Sequence, residues 1–487
     1  MILKPGRNCW QLSEHGSAGA LVDARDYYSA FYRAAEAAQQ RILLSGWQFD
    51  SSVKLLRGED AQGHADVELL PFLKSLVARK PELSIWMLAW DYSLVYALER
   101  QWLQRAIFDW RTDERIHFHF DHRHATGGSH HQKFVIIDGQ LGFAGGIDLC
   151  ESRWDDRRHL PEHPERCNKQ HEPQKPYHDL MAFVTGDAAK QLEGLFCARW
   201  REATGETLPL LPAAALAVPE FEGTLPIRCE RVAISRTEGE VDDLPVVEEI
   251  LKQYEDSIAS AERLIYIETQ YFTSRAVQRA FLARLHDDSR PCLAIVILMP
   301  KGADTPKENM ALGDAQNKLM ASLCESAAKH GHQLRAYYPS SEHEGQEIPT
   351  FIHSKVLVVD DRLLSIGSAN LTNRSMHLDT ELNLTWECDS EEDPLSATIR
   401  TIRASLLAEH AGIADTTPFE AIDGLIDRLD ALGGSPHNRL RPRSIPESAE
   451  SVEADPLMER TFDPSEPLDE IEIPKFLLKA ERREDGR

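Results

Sequence analysis

The stretch HSKVLVVD, residues 353–360, opens an apolar run with a histidine and a lysine and closes it with an aspartate. Alternate residues of a strand share a face, so a segment made only for packing would not place two charge-capable side chains two apart. HQKFVIID, residues 131–138, writes the same phrase again: His131, Lys133 and Asp138 stand at the offsets of His353, Lys355 and Asp360.

The repetition extends outward. RILLSG (41–46) and SIWMLAW (84–90) precede the first copy as LIYIET (264–269) and AIVILMP (294–300) precede the second, and IHFHF (116–120) answers LRAYY (334–338). Helix-like stretches, AFYRAAEAAQQ and VEEILKQYEDSIASAER, precede the first strand of each set. This alternation predicts two similar α/β layers with largely buried sheets. After the second copy, ELNLTW adds a strand, PLSATIRTIRASLLAEHAG a helix and FEAIDGLIDRLDAL an amphipathic helix. The expected units are a first lobe over 1–207, a Pro- and Ala-rich linker over 208–226, a second lobe over 227–445, and a flexible acidic tail over 446–487.

Composition narrows the function. A formal charge of -25 over 487 residues argues against nucleic acid and strongly anionic surfaces as general partners. The eight cysteines form no CxxC pair, as expected of thiols in a reducing compartment. The opening MILKPGRNCWQLSEHGSAGALV lacks a charged segment followed by an apolar one, and no eighteen apolar residues run together. A cytoplasmic chain is expected, with export open only to a signal-independent route.

Fourteen residues after each histidine come small residues, Gly145-Gly146 and Gly367-Ser368, and three further on stand Asp148 and Asn370. Glycine allows close backbone approach, and Ser and Asn donate to oxygen, so Gly146, Ser368 and Asn370 join Lys133 and Lys355 as candidate phosphate-binding residues. If the lobes pack about a pseudo-twofold axis, both histidines and both lysines converge on one site suited to a phosphodiester. One neutral imidazole can attack phosphorus while the other, protonated, supplies the leaving alcohol. Asp138 and Asp360 complete the catalytic motif from the opposite face, where orienting backbone suits them better than touching substrate. No metal or other cofactor is called for, because the lysines supply the positive charge.

The run IHFHFDHRHATGGSHH concentrates His117, His119, His122, His124, His130 and His131 without a matching zinc-ligand pattern, so these read as solvated or site-lining. Trp47, Trp90, Trp154, Tyr177 and Trp200 read mainly as core, with a headgroup or acyl pocket as the alternative. GSPHNRLRPR (434–443) is a small basic spot that fits either lipid phosphate or a solvated turn.

At these residues the chain resembles the phospholipase D superfamily, whose signature is a duplicated HxKxxxxD followed by a G-G/S-x-N-like element. FAGGIDLCESRWDD (143–156), PYHDL (176–180), IYIETQYF (265–272) and SANLTNRSMHLDTEL (368–382) are similar to further elements of eukaryotic-type phospholipases D. The resemblance implies two α/β/α sandwich lobes with the site in the cleft between them. It implies His131 as nucleophile, His353 as general acid, and Asp179 and Glu381 as the carboxylates that orient them, with Asp379 a neighbour competing for the last role. It also implies a glycerophospholipid substrate at a membrane surface, peripheral membrane association, and short-chain alcohols as alternative acceptors. The rivals are a cardiolipin synthase-type phosphatidyltransferase, a nuclease or other phosphodiesterase, and a non-catalytic lipid-binding descendant. One departure stands out: Asp148 replaces the asparagine of the second copy, and an ionised carboxylate would repel phosphate.

Overall fold

The computed structural model describes residues 1–91, 113–211, 218–242, 244–303, 312–435, 438–448, 460 and 462–467. In the first lobe the strands β1 (Ala18–Val22), β2 (Arg41–Gly46), β3 (Ser84–Trp90), β4 (Ile116–Asp121), β5 (Phe134–Ile137), β6 (Leu141–Gly145) and β7 (Leu180–Thr185) pair in the order β1-β7-β6-β5-β2-β3-β4. The second lobe holds β8 (Arg231–Glu238), β9 (Leu264–Glu268), β10 (Ala294–Leu298), β11 (Gln333–His343), β12 (Val356–Val359), β13 (Leu363–Gly367) and β14 (Glu381–Glu387). Their order, β8-β14-β13-β12-β9-β10-β11, repeats the first term for term. In both sheets the three strands β2-β3-β4 or β9-β10-β11 run parallel and the rest antiparallel.

The central strands are FVII and VLVV, apolar and rich in β-branched residues that suit a pleated, buried surface. Successive side chains face opposite ways. Val135 and Ile137, with Ile42 and Leu44, pack outward against Tyr28 and Phe31 of helix Asp23–Ala37 and Leu73 of helix Leu69–Arg79. Leu357 and Val359, with Ile265 and Ile267, do the same against Leu251 and Phe281 in the second lobe. Phe134, Ile136, Val356 and Val358 face inward into one cluster that runs through both lobes and includes Phe196 of helix Asp187–Thr204 and Leu406 of helix Pro394–Ala411. Each sheet thus has helices on both faces, the α/β/α arrangement expected, and the lobes share a core rather than meeting as finished units.

Several expectations need amendment. The first lobe does not begin at residue 1, because Gln11–Glu14 pairs with β8 and extends the second sheet. FEAIDGLIDRLDAL is not one helix: Thr417–Glu420 and Leu425–Gly433 are separated at Gly424, whose φ of 68° lies in the left-handed region. The acidic tail is docked in part, since Asp463 is buried and accepts from Thr273 Oγ1, from Asn373 Nδ2 and from the backbone of Arg374. Most of that tail, and residues 212–217 of the linker, lie outside the described residues. Among the described residues no helix is long and apolar enough to cross a membrane.

The aspartates of the doubled motif explain themselves here. Asp138 accepts from the backbone N–H groups of Gln39, Gln40 and Arg41 at 2.7, 2.9 and 2.7 Å, just where β2 begins. Asp360 accepts from Glu262, Arg263 and Leu264, each at 2.8 Å, at the start of β9. Both have positive φ, 49° and 53°, and turn the chain at the end of their strand. Counted with the catalytic motif, they instead tie its strand to the next. Asp138→Ala and Asp360→Ala should each cost about 2–4 kcal/mol in chemical unfolding, because buried donors lose their acceptor; the Asn variants, which keep one acceptor oxygen, should cost less. Equal stability of wild type and both alanine variants would contradict the clamp.

Candidate active site

Two short backbone contacts between the lobes set the site. Phe351–Ile352 runs parallel to Tyr177–His178 in the register Ile352↔His178, and a parallel bridge joins His130 to Thr380. One residue further along each pair, Asp179 stands beside His353 and Glu381 beside His131. The side chains follow. Nδ1 of His353 lies 2.6 Å from Asp179 Oδ2, and Nδ1 of His131 lies 3.0 Å from both oxygens of Glu381. Each ring is therefore oriented through Nδ1 by a carboxylate of the other lobe, and Nε2 takes no part in that contact.

The histidine and lysine of each copy do not sit inside the central strands, as the alternation suggested. They occupy the extended lead-in, since β5 starts at Phe134 and β12 at Val356. The lead-in stays in register because Lys133 O accepts from Gly145 N at 3.2 Å and Lys355 O from Gly367 N at 3.1 Å. Each lysine Nζ donates back to the carbonyl of its own histidine. The carbonyl so held fixes the lysine close to the ring.

Burial governs the electrostatics. Desolvation, with Lys133 and Lys355 adding to it, holds His131 well below the usual imidazole range, and desolvation with Lys355 and Arg153 does the same to His353. Burial pushes Glu381 up to about 8, helped by the neighbouring Asp379, and Asp179 up to about 6. Lys355 is pushed down to about 7, chiefly by burial and secondarily by Lys133. Every shift runs toward neutrality, as expected where charges are withdrawn from water. His131 keeps 16% of its side chain exposed against 7% for His353, so the first ring is the more open to an incoming ligand.

The candidate phosphate binders divide. Asn370 is buried with its Oδ1 unpartnered, a polar group free to turn toward a ligand. Ser368 does not face the cleft: its Oγ donates to Glu381 Oε2 at 2.5 Å and accepts from Leu382 N, so it holds the carboxylate that holds His131. Gly146 does not offer its N–H, which donates to Leu180 O at 2.9 Å; its missing side chain makes room for Asp179, whose Oδ1 would lie 2.1 Å from a Cβ there. Asp148 is not left as an unpaired carboxylate, because it is engaged by Trp47 N at 2.9 Å and Lys133 Nζ at 3.4 Å. Asp379 pairs with Arg374 and accepts from Ser129, leaving the ring of His131 to Glu381.

Trp47 and Tyr177 border the site, with ring centroids 6.5 Å from His131 and 5.4 Å from His353. Trp154 and Trp200 belong to the core. Of the histidine-rich run, His117 stacks on Trp86, His124 accepts from Trp90 Nε1, His122 is exposed, and His130 lies against Asp121 and Thr380. Sequence reasoning missed Arg153, whose guanidinium lies 5.1 Å over the Tyr177 ring and adds a third cation near His353. Its signal was its place in ESRWDD, directly after the first copy's small-residue element.

Comparison with known proteins places the chain in a family. Residues 34–217 match the family model described as phospholipase D, and residues 254–401 the model described as cardiolipin synthase, PLD-like domain; together these cover more than half of the chain. The chain is 23% identical to phospholipase D2 of Bos taurus over 80% of its own length and 52% of that protein. It is 22% identical to phospholipase D alpha 1 of Oryza sativa subsp. japonica over 81% of its own length and 65% of that protein. Matches to these curated relatives thus take in roughly half to two thirds of their length. Among solved structures, phosphatidylserine synthase from Haemophilus influenzae Rd KW20 superposes with a TM-score of 0.53 at 14% identity, covering 86% of this chain and 94% of that one. The superposition supports the fold.

The lysine field on His131 is open to direct measurement. In histidine-labelled protein, the His131 resonances should stay those of a neutral ring as pH falls through the ordinary imidazole midpoint. Lys355→Met should move the His131 midpoint up, because removing a nearby cation eases protonation. An ordinary midpoint in wild type that the substitution leaves in place would contradict the burial and charge described.

Proposed function

We infer that this chain, which belongs to the phospholipase D superfamily, hydrolyses the distal phosphodiester bond of a glycerophospholipid to phosphatidic acid and a free headgroup alcohol. Phosphatidylcholine and phosphatidylethanolamine are the substrates we would test first. The observation that carries the reading is the pair of imidazoles, each held at Nδ1 by a carboxylate of the opposite lobe with two lysines beside them.

In this mechanism His131 Nε2 attacks phosphorus, and the headgroup oxygen leaves with a proton from His353 Nε2. Lys133, Lys355 and Asn370 hold the non-bridging oxygens as charge builds on them. Water, deprotonated by the now neutral His353, then attacks the phosphohistidine and returns His131. Charge supports the division of labour. Lys133, Lys355 and Arg153 match Asp148, Asp179 and Glu381 in formal charge, and the shifts of Lys355 and Glu381 toward neutrality withdraw charge of both signs, so the site is near balance with both rings neutral; a phosphodiester adds one negative charge, which a protonated His353 offsets. The anion thereby counters the burial that keeps that ring neutral.

A covalent intermediate can be intercepted by any alcohol that reaches it, so transphosphatidylation should accompany hydrolysis. The family model over residues 254–401 favours one alternative within the same chemistry, a phosphatidyltransferase, for which conversion of phosphatidylglycerol to cardiolipin is the deciding assay. The acidic balance of the chain speaks against a nuclease. We place the enzyme in the cytoplasm, meeting membranes peripherally.

Phosphatidylcholine vesicles with added ethanol should yield phosphatidylethanol beside phosphatidic acid. His131→Ala should abolish both products. His353→Ala should lose about 10²–10⁴-fold on a choline ester but far less on a p-nitrophenyl phosphodiester, whose leaving group needs no proton, and should accumulate phosphohistidine on that substrate. Phosphatidic acid without phosphatidylethanol, or lipid turnover that survives His131→Ala, would overturn the reading.

A further inference from the structure

Behind the site lies a second constellation that the chemistry above does not use. Asp23 from the start of helix Asp23–Ala37, His159 from the loop after the first copy, His178 beside Asp179, and Glu409 from helix Pro394–Ala411 of the second lobe converge, all buried. We propose that these four residues bind one divalent transition ion, zinc by the donor set, as a fixed brace between the lobes.

The donor atoms, one from each residue, lie within 4.8 Å of one another, close enough to share a single ion, although the two contacts of Glu409 stand at hydrogen-bond length and would open to admit it. In tetrahedral zinc sites with bonds near 2.0–2.2 Å, neighbouring ligand atoms lie about 3.3 Å apart. Here His178 Nδ1 is 2.7 Å from Glu409 Oε1 and 3.3 Å from Asp23 Oδ1, while His159 Nε2 is 3.0 Å from Glu409 Oε1 and 3.4 Å from Asp23 Oδ2. Two imidazole nitrogens and two carboxylates in a closed, water-poor setting are a zinc set more than a magnesium or calcium one. A separate observation points the same way: Asp23 Oδ2 is fully buried and has no hydrogen-bond partner, an orphan acceptor aimed into the space the other donors share.

The outer contacts match what metal-bound histidines need. His159 Nδ1 lies 2.9 Å from Asp155 Oδ2, and His178 Nε2 lies 3.0 Å from Glu268 Oε2, so each ring can donate its other N–H to a carboxylate while its inward nitrogen stays free of a proton. Arg166 and Tyr177 N hold Asp155 in turn. Arg157 holds Glu409, donating from Nε to the oxygen that does not face the rings at 2.5 Å. Asp23 binds the backbone of Asp179 in both directions, accepting from Asp179 N and donating its own N–H to Asp179 O. An ion at this point would thus fix the carboxylate that orients His353. The rival arrangement is metal-free, with both rings protonated and hydrogen-bonded to the same carboxylates.

The test uses the full chain and reads metal, not lipid turnover, so it stands or falls separately from the proposed activity. Protein purified without chelator should carry about one zinc per chain by elemental analysis. Stripping the ion should lower Tm, Zn²⁺ should restore it and Mg²⁺ should not, and Co²⁺ in its place should give the visible absorption of a tetrahedral site. Asp23→Asn, with the fold checked by circular dichroism, should lose the metal. Wild-type protein free of stoichiometric transition metal, with a Tm that Zn²⁺ does not move, would overturn the proposal in favour of the protonated network. Metal retained undiminished by folded Asp23→Asn would overturn it by placing the ion elsewhere.

Discussion

The structure turns on an exchange of carboxylates across the lobe interface: Asp179 of the first lobe grips His353 of the second, and Glu381 of the second grips His131 of the first. Backbone register enforces it. With Ile352 paired to His178 and His130 to Thr380, the next residue along each chain is the histidine and its carboxylate, so no side-chain search is needed to bring them together. Neither lobe holds a complete site. A one-residue slip in either short pairing would reverse the facing of the side chains and separate both pairs, which gives physical weight to the shared hydrophobic cluster that fixes the lobes against each other.

Placing these groups in a buried cleft is costly, and the surroundings show how the cost is offset. Lys133 is met by Asp148, which in turn is held by the backbone at Trp47. Glu381 receives Ser368, and Asp379 beside it is taken up by Arg374 and Ser129. Lys133, Glu381 and Asp379 therefore have partners in position before any ligand arrives, while Lys355 and Arg153 are left as the cations an anion would meet. That is the condition under which electrostatic stabilisation of a transition state requires little rearrangement. The downward shifts of His131, His353 and Lys355 are what an anionic ligand would reverse, since a nearby negative charge favours their protonated forms.

Much of this was legible in the sequence because it is periodic and local. HSKVLVVD and HQKFVIID announce two equivalent strands, and RILLSG, SIWMLAW and IHFHF, with their counterparts, emerge as strands in matching sheet positions. What escaped is what depends on long-range register. Ser368 and Gly146 carry residue types that suit phosphate binding, yet each serves a neighbouring carboxylate, a role set by strands far away in sequence. Asp138 and Asp360 looked catalytic by motif and structural by strand geometry, and the geometry decided. Gln11–Glu14 joins the second sheet because β8 presents an open edge there, which no local pattern reveals. Asp23, His159, His178 and Glu409 are scattered over nearly the whole chain, with no spacing to mark them.

A duplicated fold with matched histidines poses a last question, namely how two equivalent rings come to differ. The answer lies in what stands beside each. Around His131 the duplicated lysine is neutralised by Asp148, the orienting carboxylate is shared with Ser368, and the ring keeps an opening to solvent. Around His353 the lysine has no counterpart of Asp148, since Asn370 takes that position, and Arg153 adds a further cation beside Tyr177. The second ring is thus the more closed and sits in the more positive field. On the mechanism proposed above, such a field would hold a proton weakly until a phosphate arrives and then pass it readily to a leaving oxygen, as a general acid requires. On the same proposal, the open, less positively flanked ring is the one assigned to meet phosphorus as a neutral nucleophile. The Asp148-for-Asn exchange, an anomaly in the sequence, is in this light one of the features that breaks the equivalence of the two copies.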